Sequence, residues 1–395
     1  DTFVEVNGEV REFIEGRLFQ RSDIRVAGTI RSFEATNIRA TQIITGQLTR
    51  LNVDDAIRAS DISVSGPLIE LDAAEVTATN INITGPDGRL DRLVVETLFD
   101  GFILATGPIT RIEATAGDLR GQLETRTARG DVANLIASRD ILLSTDISGT
   151  LSNISVGRNL GDINDPGVLL IRGDLTGIDI ANGGLYSDVR VAQAITGGIV
   201  IGAQPGLPTN NLVPTGSIEA YGRIESVVAN GDYAGSIMSF SGGIGNVTIN
   251  NGSLLPAGSI AAFNGSITSV VINSGHLLGD VHADRTIFGI TVNASEDGVF
   301  GDIGVNPALS SFTGATSLRN QLPPDVGITS GFDGPSITAG RDIGVVTVSN
   351  GSIFETVFHA RNAIGQINVQ GEGNIANDAN TMGFGTQILA GNSVG

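Results

Sequence analysis

The chain has no cysteine, no tryptophan and no lysine, and aromatic residues make up only 5% of its 395 residues. The absence of cysteine excludes disulfides and thiolate metal sites. Because a globular core usually contains several large rings, this composition predicts a core of isoleucine, valine, leucine and alanine. No apolar run approaches the roughly 18 residues of a membrane span.

Groups that catalyse reactions or bind metals are also scarce. The chain has three histidines, His276, His282 and His359, and it has no G-x-S-x-G nucleophile motif. It contains neither an EF-hand loop nor the glycine-rich nonapeptide of calcium-binding β-helices. We therefore expect no enzymatic activity, no catalytic, cofactor-binding or metal-binding residue, and no cofactor, with calcium kept as a weak alternative.

The charge of the chain is strongly acidic. Its 23 basic residues, all arginine, are outnumbered by 42 acidic residues, which gives a net charge of −19. An acidic surface repels nucleic acid and anionic lipid. We therefore expect neither nucleic acid nor a membrane as a partner.

What the chain has in abundance is glycine, 54 residues, and a repeat. Two aliphatic or aromatic residues separated by two others recur about every 20 residues, which is typical of a solenoid. The pairs are Ile30/Phe33, Leu48/Leu51, Leu68/Leu71, Leu90/Leu93, Ile109/Ile112, Val132/Leu135, Leu151/Ile154, Leu175/Ile178, Ile224/Val227, Ile244/Val247, Ile267/Val270, Ile287/Ile290, Ile343/Val346 and Ile364/Ile367.

A polar residue keeps register with this repeat in the second half of the chain. Six residues after the first member of the pair stand Asn230, Asn250, Asn273 and Asn293, then Ser349 and Gln370. Asparagine tolerates left-handed backbone, and stacked carboxamides bond one another. We therefore predict a structural asparagine ladder along one corner of successive turns.

Short segments such as 247–249 and 290–292 alternate buried and polar positions and are rich in β-branched residues, which indicates strands. A leucine-rich horseshoe would need helical return segments, whereas those here are rich in glycine. The sequence therefore predicts an all-β fold, a right-handed parallel β-helix (β-solenoid) with about 20 residues per coil.

Two stretches interrupt the repeat. We predict one continuous solenoid in which 1–200 is the N-terminal part, 201–214 a loop insertion, 215–305 regular coils, 306–334 a second loop insertion and 335–395 the C-terminal coils. Each insertion is either a tolerated loop or a binding loop. A separate alternative is that the segment around 10–19 forms a short amphipathic capping helix instead of a strand.

Repeated Gly-Ser-Ile units at 216–218, 235–237, 258–260 and 265–267, together with Ile-Gly-Asn-Val-Thr-Ile-Asn-Asn-Gly, resemble the β-solenoid repeats of large bacterial surface proteins. The resemblance implies a structural or adhesive module of an extracellular fibre, surface layer or adhesin. It also implies an extracellular or cell-surface location and assembly by end-to-end or lateral contacts. The implied partners are further copies, a longer chain of the same protein, or a cell-surface glycan.

The alternative function is a β-helix that binds or cleaves polysaccharide. Such enzymes use carboxylates, with or without arginine, on one face of the coil, and they need two carboxylates at catalytic separation. The candidates are Asp280, Asp284 and Arg285 with Asp302, and the pair Arg341 and Asp342. With three tyrosines and no tryptophan, rings on which a sugar could stack are expected to be few.

Overall fold

The protein is described here by a computed structural model, which covers residues 2–202, 213–293, 336–349, 353, 356–370, 387–391 and 393–394. The chain is an all-β parallel solenoid with about 20 residues per turn, as the repeat predicted. Across the covered residues no helix is present, and hence none that could cross a membrane. The predicted insertion at 306–334 lies outside the described residues, as does most of that at 201–214.

The chain divides into two compact units. Unit 1 comprises Asp1–Leu212 and Gly216–Tyr221, and unit 2 comprises Val213–Thr215 and Gly222–Gly395. The strands of unit 1 are β1 (Phe3–Val6), β2 (Val10–Gln20), β3 (Asp23–Arg39), β4 (Gln42–Arg58), β5 (Asp61–Val64), β6 (Leu68–Ile83), β7 (Leu90–Ala105), β8 (Ile109–Ala114), β9 (Asp118–Thr125), β10 (Val132–Ala137), β11 (Ile141–Ile147), β12 (Leu151–Val156), β13 (Val168–Ile171), β14 (Leu175–Ile180), β15 (Asp188–Val191), β16 (Ile195–Ile201) and β17 (Ile218–Ala220).

The strands of unit 2 are β18 (Ile224–Asn230), β19 (Ser236–Ser239), β20 (Ile244–Asn250), β21 (Ser259–Ala262), β22 (Ile267–Asn273), β23 (Asp280–Ala283), β24 (Ile287–Asn293), β25 (Ser336–Ala339), β26 (Asp342–Ser349), β27 (Val357–Ala360), β28 (Ala363–Gln370), β29 (Gln387–Ala390) and β30 (Ser393–Val394). From β18 to β24, strands of seven residues alternate with strands of four. Each pairs in parallel with the strand two places on, for example β20 with β22.

In unit 1 the repeated hydrophobic pairs stack directly on one another. Leu48 pairs with Ile30 on one side and with Leu68 on the other, and all three side chains are fully buried. Early strands are long because they continue around a corner, at the cost of register shifts such as the one between Val53 and Ala56. The spacing of the hydrophobic pairs in the sequence therefore predicts which residues pair between adjacent turns of the coil.

The alternative interpretation of residues 10–19 as a capping helix is wrong. Val10–Gln20 is a strand of 11 residues, and it pairs in parallel with β3. Phe13 and Phe19 pack their rings on Phe33, with centroids 5.4 and 5.0 Å apart. The register of this strand with β3 shifts between Glu15 and Leu18, and of its apolar residues Phe19 is buried whereas Ile14 and Leu18 are exposed.

Candidate functional site

The asparagines named from the sequence lie in one row of unit 2, at the ends of β18, β20, β22 and β24. Register pairs Asn230 with Asn250, Asn250 with Asn273, and Asn273 with Asn293. In each pair the Nδ2 group of the later residue donates to Oδ1 of the earlier one, over 3.1, 2.9 and 3.0 Å. Ser349 occupies the next place in the register. The carboxamides thus link side chain to side chain across successive turns.

The backbone explains this row in a different way from the prediction. The ladder residues themselves end strands, and the left-handed conformation falls on the residue that follows each of the first three. Gly231, Asn251 and Ser274 have φ values of 130°, 54° and 62°. The asparagine is therefore selected by its donor and acceptor pair, whereas the corner is turned by its neighbour. The row is structural and offers no reactive group.

A second ladder, in unit 1, was not predicted. Ser22, Thr41, Ser60 and Thr79 are buried, with 4% or less of each residue exposed. The Ser60 hydroxyl donates to the Arg58 carbonyl at 2.9 Å and accepts the Thr41 backbone N–H at 3.2 Å. Thr79 donates in the same way to the Thr77 carbonyl at 2.9 Å. These hydroxyls satisfy backbone groups that the corner would otherwise bury without a partner.

The hydroxyl ladder has a sequence signal. Four segments of the form Arg/Ala-Ser/Thr-polar-Ile begin at residues 21, 40, 59 and 78, and each first residue has a positive φ. The row ends at Gly101, which pairs with Thr79. A Cβ at Gly101 would lie 2.4 Å from the Thr79 carbonyl oxygen, so a side chain there would force the backbone to shift.

Arginines neutralise many of the carboxylates on the surface of unit 1. Arg92 Nη1 contacts Glu70 at 2.5 Å and Asp72 at 2.8 Å. Burial raises the pKa of Asp72, with the attraction of Arg92 opposing it and the charge of Glu70 adding to it. A shallow open groove beside Asp72 is lined also by Asn52, Asp54 and Glu96. Within the described part of the chain, no group of three or more histidine, aspartate or glutamate side chains is placed to hold a metal ion.

The acidic candidates from the sequence come together with a histidine on β23 of unit 2. Asp280 and His282 stand at alternate positions of β23, and Asp284, which directly follows the strand, contacts His282. Burial raises the pKa of Asp280, against a hydrogen bond from the Ser336 backbone and the charge of His282. Asp342 instead accepts the Asn362 carboxamide at 2.6 Å, and Asp302 lies outside the described residues.

His282 is held through both of its ring nitrogens. Nε2 lies 2.9 Å from Asp284 Oδ1, and Nδ1 lies 2.7 Å from Thr338 Oγ1. Because a carboxylate only accepts, Nε2 carries a proton, and in the neutral ring Nδ1 accepts from the Thr338 hydroxyl. This hydroxyl–imidazole–carboxylate array fixes the tautomer and orientation of the ring.

His359 does not join this array. Thr338 pairs with His282 on one side and with His359 on the other, so the two histidines lie two turns apart. Burial lowers the pKa of His359, whose side chain is half-buried. The two histidines thus occupy one column, with Thr338 between them.

Two phenylalanines extend the array, and sequence reasoning missed them. The rings of Phe240 and Phe263 stack with centroids 5.7 Å apart and an interplanar angle of 16°. Phe263 lies 5.9 Å from the His282 ring. We call Phe240, Phe263, His282, Asp284 and Thr338 the Phe–His patch. The sequence does contain a signal for this patch, because the two phenylalanines directly follow Ser239 and Ala262, which are register partners. The turn between the phenylalanines has 23 residues rather than 20, and this difference hides their alignment.

The Phe–His patch joins an aromatic surface to solvent-accessible polar groups. The side chains of His282 and Asp284 are 24% and 32% exposed, and Phe240 is 39% exposed. The patch can therefore pack against an apolar surface and form hydrogen bonds at the same time. No protein-family model, curated protein or solved structure matches the chain.

Proposed function

We propose that this chain is a non-catalytic structural and adhesive module of an extracellular fibre, surface layer or adhesin, located outside the cell or on its surface. It assembles by end-to-end or lateral contacts with further copies or with a longer chain of the same protein. The acidic surface and the repeat style of the sequence support this role. The Phe–His patch supports its adhesive part.

The observation that carries the proposal is the persistence of register within each unit. In unit 2 the same six positions of β20 pair with β22, and those of β22 pair with β24. Outward side chains at these positions therefore stand in straight columns, one strand spacing of about 4.8 Å apart. Such columns give broad, regular faces suited to contact with a surface or with another copy.

The persistent register also orders the interior of the coil, which supports a mechanical role. The inward residues of β22, Ile267, Val270 and Ile272, are fully buried, and their register partners in the neighbouring turns are buried too. A solenoid is stabilised by contacts between neighbouring repeats, so stability is distributed along its length instead of in one central core. That distribution suits a module whose function is mechanical.

The test is self-association of the purified full chain. Sedimentation velocity over a wide concentration range, followed by negative-stain electron microscopy, should show concentration-dependent species and ordered fibres, sheets or bundles. A chain that remains monomeric at every concentration contradicts the assembly role. Release of soluble sugars from a polysaccharide, measured as new reducing ends, would contradict the non-catalytic assignment and favour the polysaccharide-cleaving alternative.

A further inference from the structure

We propose that the Phe–His patch is a binding site for a neutral glycan. This proposal rests on the proposed adhesive function, because it names the site and the ligand class through which adhesion occurs. A hexose ring packs its apolar C–H face on the phenylalanines and directs hydroxyl groups to Asp284, His282 and Thr338.

The apolar half of the site is the phenylalanine pair. Both rings stand in one column of unit 2, since each follows a residue of the register pair Ser239 and Ala262. Stacked rings in successive turns form a continuous apolar stripe, and Phe240 leaves 39% of its surface open to solvent. Sugar rings have apolar faces of C–H groups that pack well on such aromatic surfaces, while their hydroxyls remain at the edge.

The polar half of the site lies beside that stripe and has unused hydrogen-bonding capacity. Asp284 accepts one bond on each oxygen, from His282 to Oδ1 at 2.9 Å and from the Asn264 backbone N–H to Oδ2 at 2.8 Å. Each carboxylate oxygen can accept about two bonds, so the carboxylate can also accept ligand hydroxyls. The hydroxyl oxygen of Thr338 offers another acceptor. Because these groups already hold one another in place, ligand binding immobilises little.

The surrounding charges favour a neutral ligand. Asp280 and Asp284 repel an anion, as does the net charge of −19 on the whole chain. A cation gains little, because exposed Arg285 follows Asp284 and exposed Arg341 stands in the next turn, where its N–H donates to the Arg285 carbonyl at 2.8 Å. A neutral polyhydroxylated ligand satisfies the acceptors without either cost.

The experiment exposes the purified full chain to an array of printed neutral, acidic and basic glycans. The best neutral oligosaccharide is then titrated by calorimetry into the wild type and into Phe240→Ala, Phe263→Ala and Phe288→Ala. Loss of one stacking ring should weaken binding about tenfold. Phe288 is 59% exposed but lies on β24, outside the patch, so its replacement should leave affinity unchanged.

Two further variants keep the test decisive. Phe240→Tyr preserves a stacking ring and should keep affinity near that of the wild type. Asp284→Asn keeps the shape of the side chain but removes acceptor capacity, so it should weaken binding even if Phe263→Ala folds poorly. Circular dichroism and urea unfolding identify any variant whose fold is damaged.

Several results would overturn the proposal. The proposal fails if the wild type binds no neutral glycan on the array, or if it prefers acidic or basic glycans. Equal losses of affinity in Phe288→Ala and Phe240→Ala would also overturn it. Sedimentation of the same variants separates this proposal from the proposed function. Glycan binding without self-association would refute assembly alone, whereas loss of self-association in Phe240→Ala without glycan binding would assign the patch to a second copy of the chain.

Discussion

Corners in the early turns of unit 1 and corners in unit 2 are supported by different polar side chains. In unit 1 the buried hydroxyls of Ser22, Thr41, Ser60 and Thr79 bond to backbone groups beside them and in adjacent turns. In unit 2 the half-buried carboxamides of the asparagine row bond to one another. A hydroxyl is small enough to fit inside the coil, whereas a carboxamide needs the space at its edge.

The difference teaches what each residue type can do at a corner. A hydroxyl has one proton, so donation to a carbonyl of its own turn leaves it only as an acceptor for the preceding turn. A carboxamide has both a donor group and an acceptor, so each member can bond the turn before it and the turn after it. The asparagine row should therefore couple neighbouring turns more strongly than the hydroxyl row does.

Surface charge separates the two regions further. Unit 1 joins turns through ion pairs such as Arg58 with Glu75 at 3.0 Å and Arg172 with Asp146 at 2.8 Å. In the described residues of unit 2, the arginine ion pair is Arg223 with Glu225, which lies within one short segment. Exposed ion pairs contribute little to the free energy of unfolding. The ladders and the aliphatic interior should therefore contribute most of the stability of each unit.

Breaking the asparagine row should have the largest effect. Asn250→Leu removes two amide–amide bonds and leaves half-buried polar groups in the neighbouring turns, which should lower the free energy of unfolding of unit 2 by about 2–3 kcal/mol. Urea unfolding, with hydrogen exchange to locate the loss, measures this. Asn246→Leu is the matched control, because Asn246 is exposed on the same strand, and it should change stability by less than about 0.5 kcal/mol. Equal losses in both variants would contradict a ladder role.

Breaking the hydroxyl row should cost less. Ser60→Ala removes the acceptor of the Thr41 N–H and one donor to the Arg58 carbonyl, for an expected loss of about 1–2 kcal/mol in unit 1. Ser63→Ala, at a half-buried outward position of the next strand, is the control and should be nearly silent. If Ser60→Ala is as stable as the wild type, the buried hydroxyls do not support the corner.

The smallest expected effects concern pH, and they have opposite signs in the two units. Burial acts to raise the pKa of Asp140, but hydrogen bonds from Arg158 and the Asn159 backbone, with nearby arginine charge, hold it below 3.8. Asp140 therefore stabilises unit 1 above pH 3.8, and that contribution is lost as the pH falls through the lowered folded-state pKa. Asp280, whose pKa is raised chiefly by burial, contributes stability below pH 3.8 that is lost as the pH rises through its folded-state pKa.

Urea midpoints measured between about pH 3 and about pH 6 would test this contrast. Asp140→Asn should flatten the acid side of the curve for unit 1. Asp280→Asn should remove the decline toward neutral pH in unit 2. Curves that move in the same direction for both variants would mean that the two carboxyl groups have similar environments after all.

Some features could be predicted from sequence because they depend on one residue type at one spacing. The hydrophobic pairs and the asparagine row are of this kind, since four asparagines stand at the same place of four consecutive repeats. The hydroxyl row alternates serine and threonine, which are common at outward positions too, so the repeat alone does not show that they are buried. The strand at Val10–Gln20 was ambiguous because an irregularity between Glu15 and Leu18, visible only in its register with β3, interrupts the pattern.

The Phe–His patch could not be predicted, for a geometric reason. Phe240 and Phe263 become neighbours only when the register of β19 and β21 is known, and the turn between them is longer than the average repeat. His282 meets Thr338 across 56 residues of chain. A site assembled from columns therefore depends on the length of every intervening loop, which the repeat alone does not specify.

Engineered disulfides test the stacked-rung account most directly, because the chain has no cysteine of its own. Thr248 and Val271 are register partners on adjacent turns, so Thr248→Cys with Val271→Cys places two cysteines about 4.8 Å apart at Cα, within disulfide range. Thr248→Cys with Ser269→Cys is offset by two residues, beyond the roughly 7 Å limit. The account predicts rapid cross-linking under mild oxidation of the first pair and not of the second. Cross-linking of the second pair alone, or equal rates for both, would contradict it.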